Sequence, residues 1–188
     1  MDIEELISIV TLKKIGDNKF EGQNYKTVWG RIFGGQVLSQ SLHAAYQTVP
    51  EDRIVHSMHG YFILPGDLKE TVTYEVDNIR NGGSFTTRRV VAFQKGRAIF
   101  NMAASFQKDE EGYDHQIQKP NVLSPDLLLT DFEQAEKFKD ELAERYQIFL
   151  AAHPKVFDFK PVGTNIFLRK ENALPINHCW FRLKDKID

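Results

Sequence analysis

The chain has 188 residues, 41% of them hydrophobic and 27% charged, enough for one domain with a sizeable core, or one plus a fragment. Lys+Arg number 24 against 26 Asp+Glu, and a net charge of −2 argues against a nucleic-acid surface. With 14 Phe, 6 Tyr and 2 Trp, the chain is too aromatic to be disordered.

The single cysteine, Cys179, excludes an intrachain disulfide and a multi-cysteine zinc site. Met1-Asp2-Ile3-Glu4-Glu5 is acidic where a signal peptide is basic, and no apolar run approaches the ~20 residues that span a bilayer. The expectation is a soluble intracellular protein with no membrane span.

Residues 2–10 read as a short helix capped by Asp2, with Leu6, Ile7 and Val10 on one face. Residues 12–15 and 20–23 flank Gly16-Asp17-Asn18, a small hairpin. Residues 33–47 predict the central helix. Leu38, Leu42 and Ala45 form its stripe, Val37, Ser41 and Ala44 lie beside it, and Ser39, Gln40, His43 and Gln47 point outward. No Asp or Glu occurs between Glu21 and Glu51, so this helix is expected to be largely buried.

Strands are predicted at 55–64, 71–80, 84–94 and 97–107. Pro65-Gly66-Asp67, Asn81-Gly82-Gly83 and Lys95-Gly96 turn the chain between them. At about 3.4 Å per residue, ten residues run about 34 Å, long enough to curl around a helix. Residues 108–126 read as a linker. Thr130 and Glu133 form a capping box for a second helix at 131–152, which stops at His153-Pro154. After an irregular stretch, 177–184 alternates as a strand with no later partner, and Cys179 reads as a small core residue.

The pattern alone supports an α+β, antiparallel architecture. Four segments go further: Ile32-Phe33-Gly34-Gly35-Gln36-Val37; the run from Val55-His56-Ser57-Met58-His59-Gly60 to Leu64-Pro65-Gly66-Asp67; Arg80-Asn81-Gly82-Gly83-Ser84-Phe85-Thr86-Thr87-Arg88-Arg89-Val90; and Ala98-Ile99-Phe100-Asn101-Met102-Ala103-Ala104-Ser105-Phe106-Gln107. In this order they resemble the type II acyl-CoA thioesterases, the TesB family, closely over about residues 10–110.

The resemblance implies a tandem hotdog fold, each repeat a long curved antiparallel sheet wrapped around a central α-helix. It divides the chain into an N-terminal hotdog domain at 1–108, a linker at 109–154 and the start of a second repeat at 155–188. It implies hydrolysis of fatty acyl-CoA to free acid and CoA, without metal or organic cofactor, in the cytoplasm or the peroxisome. The family's catalytic Asp, Ser/Thr and Gln belong to the second repeat, at positions this chain does not contain. The residues agree in one respect: activating water needs a general base, and 34–47 has no carboxylate. Little thioesterase activity is therefore expected of the chain alone. The alternatives are a non-catalytic acyl-CoA-binding scaffold and a hotdog enoyl-CoA hydratase or dehydratase, against which the missing helix carboxylate counts. An unpaired sheet edge invites association, so a homo-oligomer is expected.

Five residues are candidates. Gly34, Gly35 and Gln36 open the central helix, where free backbone N–H groups and the helix dipole suit an anion or a developing oxyanion. The alternative is close packing of helix on strand. His56 is the catalytic candidate, because histidine is the usual base near pH 7 and this one matches a histidine of the family motif. The alternative is a structural strand histidine. Arg88, or its neighbour Arg89, could hold a CoA phosphate through bidentate geometry. The alternative is an ion pair with Glu75 or Asp77. His56 and His59, three apart on a strand, point to opposite faces and make a poor metal pair, so no metal site is expected.

Overall fold

The computed structural model describes residues 1–27, 30–142, 144, 146–148, 156–163 and 175–186. The chain divides into two compact units, one of Glu5–Tyr113 and one of Met1–Glu4 with Asp114–Asp188.

The chain opens with α1 (Ile3–Val10). The first unit then holds one six-stranded sheet and one long helix. The hairpin β1 (Lys13–Gly16) and β2 (Lys19–Gly22) precedes α2 (Gly34–Tyr46). There follow β3 (Arg53–Phe62), β4 (Val72–Asn81), β5 (Phe85–Gln94) and β6 (Arg97–Lys108). Their order in space is β1-β2-β4-β5-β6-β3, every neighbouring pair antiparallel. Lys95 and Gly96 both adopt positive φ, 48° and 72°, the type I′ geometry that matches strand twist and folds β5 back onto β6.

Alternation places Val72, Tyr74 and Val76 on the buried face of β4, Val90 and Ala92 on β5, and Phe100, Met102, Ala104 and Phe106 on β6. With Val37, Ala44 and Ala45 of α2 they form one core, so the sheet wraps the helix. This is an α+β hotdog fold.

The buried face of α2 differs from the predicted one. It comprises Gln36, Val37, Gln40, Ser41, Ala44 and Ala45, while Leu38 and Leu42 are only half-buried. Gln40, expected to point outward, is fully buried, because its amide joins a polar network described below.

In the second unit, α3 (Asp131–Lys137) begins at the capping box, with the Thr130 hydroxyl accepting from Glu133 N–H and the Glu133 carboxylate accepting from Thr130 N–H. Hydrogen bonds to the carboxylate, from the Thr130 backbone N–H first and from the Thr130 hydroxyl second, hold the Glu133 carboxyl below its usual pKa. The helix ends at Phe138 and a 3-10 turn follows at Lys139–Glu141, so the expected 131–152 helix is interrupted there, and residues 144 and 146–148 are helical again. Phe138, at φ −115° and ψ 29°, has left helical geometry, although Phe132, Ala135, Leu142 and Tyr146 still share one apolar cluster. The expected stop at His153-Pro154 lies outside the described residues.

The strand with nothing after it to pair with finds its partner earlier in the chain. β7 (Phe157–Pro161), read from sequence as irregular, pairs antiparallel with β8 (Cys179–Leu183). Cys179 is exposed rather than in a core, because the pair forms a two-stranded sheet of its own, on which Trp180 and Leu183 are the half-buried positions. No helix among the described residues is long and apolar enough to cross a membrane.

Candidate functional site

The start of α2 is chemically unusual. An N-cap is normally Ser, Thr, Asp or Asn, whose side chain accepts a first-turn N–H. Here the N-cap is Phe33, in extended geometry and with no side-chain cap. Its carbonyl accepts from Gln36 and Val37 N–H. The N–H groups of Gly34 and Gly35 carry no hydrogen bond to any described residue. Both glycines let an exposed ring lie directly on the helix backbone. A Cβ at Gly34 would stand 2.9 Å from the Phe62 ring, and one at Gly35 would collide with the Phe33 ring. The helix thus opens on two unengaged donors flanked by two exposed aromatic rings.

Gln36, grouped with those glycines in the sequence, turns inward instead. Its Oε1 accepts from Tyr25 N–H at 2.9 Å, and its Nε2 lies near Gln23 O, Asn24 Oδ1 and Gln40 Oε1 at 3.1–3.3 Å. Gln40, one turn on, donates to Ile9 O and Gln23 O, and its Oε1 accepts from the Tyr74 hydroxyl at 2.6 Å. Burial raises the Tyr74 pKa, keeping it a neutral donor. Asn24 extends the network by donating to Leu68 O and Glu70 O. Gln94, at the end of β5, holds the same loop through Asp67 N–H and the carbonyls of Asp67 and Glu70. Residues 23–25 are therefore held by neutral amides. Sequence reasoning missed Gln40 and Tyr74. The available signal was two glutamines one helical turn apart in an acid-free stretch.

His56 lies elsewhere. It is the extra residue of a β-bulge between Val55 and Ser57 on β3, an edge strand of the sheet. It is exposed, and its Nε2 is 2.8 Å from Ser105 Oγ on β6. Its ring meets Phe85 edge-on. No hydrogen bond joins it to Gly34, Gly35 or Gln36.

Arg88 is 1% exposed and opposes a bulge at Asn78 and Ile79 of β4. Its Nε donates to Thr48 Oγ1, one terminal nitrogen to Arg80 O and Thr87 O, and the other to Thr48 O and Asn81 Oδ1, at 2.6–3.0 Å. All five N–H groups are committed, so none is presented to a phosphate. Thr48 lies just past the C-terminal end of α2, about 20 Å from Gly34 at 1.5 Å per residue. The anticipated ion pair belongs to Arg89, 2.9 Å from Asp77.

One titratable group on α2 remains. His43 is half-buried, its Nδ1 has no hydrogen-bond partner among the described residues, and burial lowers its pKa. A lowered native pKa means that the unfolded chain binds the proton more readily. Stability is expected to be complete above the ordinary value near 6.5 and to fall as pH drops from there toward the lower native value. Urea midpoints at pH 7.5 and 5.5 should differ less for His43→Gln than for the parent chain. An equal pH response in both would remove His43 as the cause. No cluster of three or more His, Cys, Asp or Glu suited to a metal occurs among the described residues.

Residues 24–107, which contain every candidate above, match the family described as acyl-CoA thioesterase N-terminal domain. Acyl-CoA thioesterase 2 of Haemophilus influenzae is 39% identical over 142 residues, covering 76% of this chain and 50% of its own. The crystal structure of acyl-CoA thioesterase II TesB2 from Mycobacterium marinum superposes with a TM-score of 0.72 at 32% identity, covering 96% of this chain and 61% of that one. The chain belongs to the type II, TesB-like acyl-CoA thioesterase family. Human acyl-coenzyme A thioesterase 8 is 34% identical over 186 residues, covering 96% of this chain and 58% of its own. A conserved protein of unknown function with a hotdog fold from Alicyclobacillus acidocaldarius, 17% identical at a TM-score of 0.72, supports the fold alone. This TesB-like chain spans about half the length of the curated relatives it matches.

Proposed function

We propose that this chain forms the acyl-CoA-engaging hotdog of a thioesterase that hydrolyses fatty acyl-CoA to fatty acid and CoA. The observation that carries this reading is the start of α2, where two unengaged N–H donors stand beside exposed aromatic rings inside the matched domain. A thioester carbonyl accepts hydrogen bonds and its acyl chain is apolar, so both features find a counterpart. Donors aimed at a carbonyl oxygen stabilise the charge that develops on it as water attacks.

Water must also lose a proton, and α2 carries no Asp or Glu. We assign the acid/base work to a second hotdog repeat and the holding of the acyl thioester to this one. His56, hydrogen-bonded to Ser105, is the side chain proposed to handle a proton should this domain turn over by itself. β3 exposes one strand edge, with Ile54, Met58 and Tyr61 exposed, which suits association with a further hotdog. The domain limits 1–108, 109–154 and 155–188 are part of the same proposal. So is a cytoplasmic location, with the peroxisome as alternative; a yeast relative, 39% identical over 94 residues, is named a peroxisomal thioester hydrolase.

The test is to offer palmitoyl-CoA to the purified 188-residue chain, reading binding by calorimetry and thiol release separately. Binding with little release is expected. Vigorous release that falls in His56→Ala would move the chemistry into this domain. Absence of binding by the folded chain would defeat the reading.

A further inference from the structure

Phe62 occupies a place that its strand position does not explain. It pairs in register with Phe100 and shares the face of the sheet that meets α2. Phe100 is 1% exposed and Phe62 is 61% exposed. Their ring centroids are 4.8 Å apart and tilted by 44°. Phe33, also 61% exposed, lies on the other glycine of the pair. An aromatic path therefore runs from the core to solvent along the start of α2.

Glycines line that path. A Cβ at Gly60 would stand 2.6 Å from the Phe100 ring, and one at Gly34 would stand 2.9 Å from the Phe62 ring. Phe62 thus rests on bare backbone on one side and on a ring face on the other. No branched side chain interlocks with it at Gly34, and more than half of its surface is already outside. Its rotation away would uncover the Gly34 backbone and the flank of Phe100 together.

We propose that Phe62 is a gate that sets acyl chain length: it covers Gly34 when the site is empty and swings outward to admit the chain toward Phe100. This rests on the acyl-CoA reading above and names the part of that site which takes the chain. The occupant is an acyl thioester because the patch combines two features. The rings offer apolar contact, and the N–H groups of Gly34 and Gly35 need an acceptor. A purely apolar partner would leave those donors unpaired.

The experiment titrates the full chain and its Phe62→Ala and Phe62→Trp variants with butyryl-, octanoyl- and palmitoyl-CoA and with free CoA. Thermal melts establish folding, and sedimentation gives the mass. Removing the ring should raise the preference for palmitoyl over butyryl by about tenfold, the scale of two buried methylenes, while leaving free CoA unchanged. Phe62→Trp should lower that preference. An unchanged chain-length profile in folded Phe62→Ala would overturn the gate while leaving the acyl-CoA reading intact. A changed mass with an unchanged profile would overturn it in favour of an interface between copies. Failure of the parent chain to bind any acyl-CoA would overturn both readings.

Discussion

Replacing Arg88 with methionine is expected to destabilise the hotdog domain by about 2–4 kcal/mol, because five partly buried acceptors would lose their donor, each at or below the roughly 1–3 kcal/mol that a fully buried one costs. Replacing a whole buried ion pair by apolar residues is often neutral or stabilising. Here the outcome should be the reverse. The guanidinium has no carboxylate among its partners, but it satisfies Thr48 Oγ1 and O, Arg80 O, Thr87 O and Asn81 Oδ1. Methionine fills much of the volume and supplies no donor. Arg88→Lys should recover only part of the loss, since one ammonium cannot span acceptors arranged around a planar fork. Urea denaturation followed by far-UV circular dichroism measures both. A methionine variant as stable as the parent would mean that those oxygens find other partners and that Arg88 does not tie the end of α2 to the β4 bulge.

Gln40→Leu is the second large effect, expected at about 3 kcal/mol. The swap is nearly isosteric, so little of the loss comes from a cavity. It strips the donor from Ile9 O and the acceptor from Tyr74, and leaves Gln23 O with Gln36 alone. Tyr74→Phe alone should cost less, because one hydroxyl leaves and Gln40 keeps its other partners. The double variant should fall short of the sum of the singles, since both remove the same bond. Chemical denaturation of the four proteins closes the cycle. Strict additivity would show the Gln40–Tyr74 bond to be energetically silent.

These two residues mark the boundary of what the sequence discloses. The helix at 34–46 and the strands were legible because their apolar periods are local, and because Lys95-Gly96 can adopt the conformations of a tight turn. The Gly34-Gly35 opening was legible only as a candidate, since every helix leaves its first N–H groups without an internal partner and whether a cap takes them depends on the preceding residue, here Phe33. Gln40 was not. A polar side chain in the helical pattern reads as outward, and only the arrival of Tyr74 and residues 9 and 23 makes an interior position tolerable. Arg88 and Arg89 are indistinguishable as letters. Pleat and register decide that one binds Asp77 on the surface and the other lies in the interior. The partner of β8 was hidden for a related reason. β7 is only five residues long, and its pairing with β8 crosses a long stretch of chain.

The strand order has a consequence during synthesis. β4, β5 and β6 follow one another as hairpins and can zip as they emerge, but β3 leaves the ribosome before them and its partner, β6, is the last strand of that sheet to appear. About 35 residues separate the end of β3 from the start of β6, which at roughly 5–20 residues per second leaves β3 without its partner for about 2–7 s. Through that interval its apolar side chains and unpaired backbone are exposed to the nascent chain's surroundings. The strand that borders the helix opening in the finished domain is thus the one with most need of a chaperone while the domain is being made.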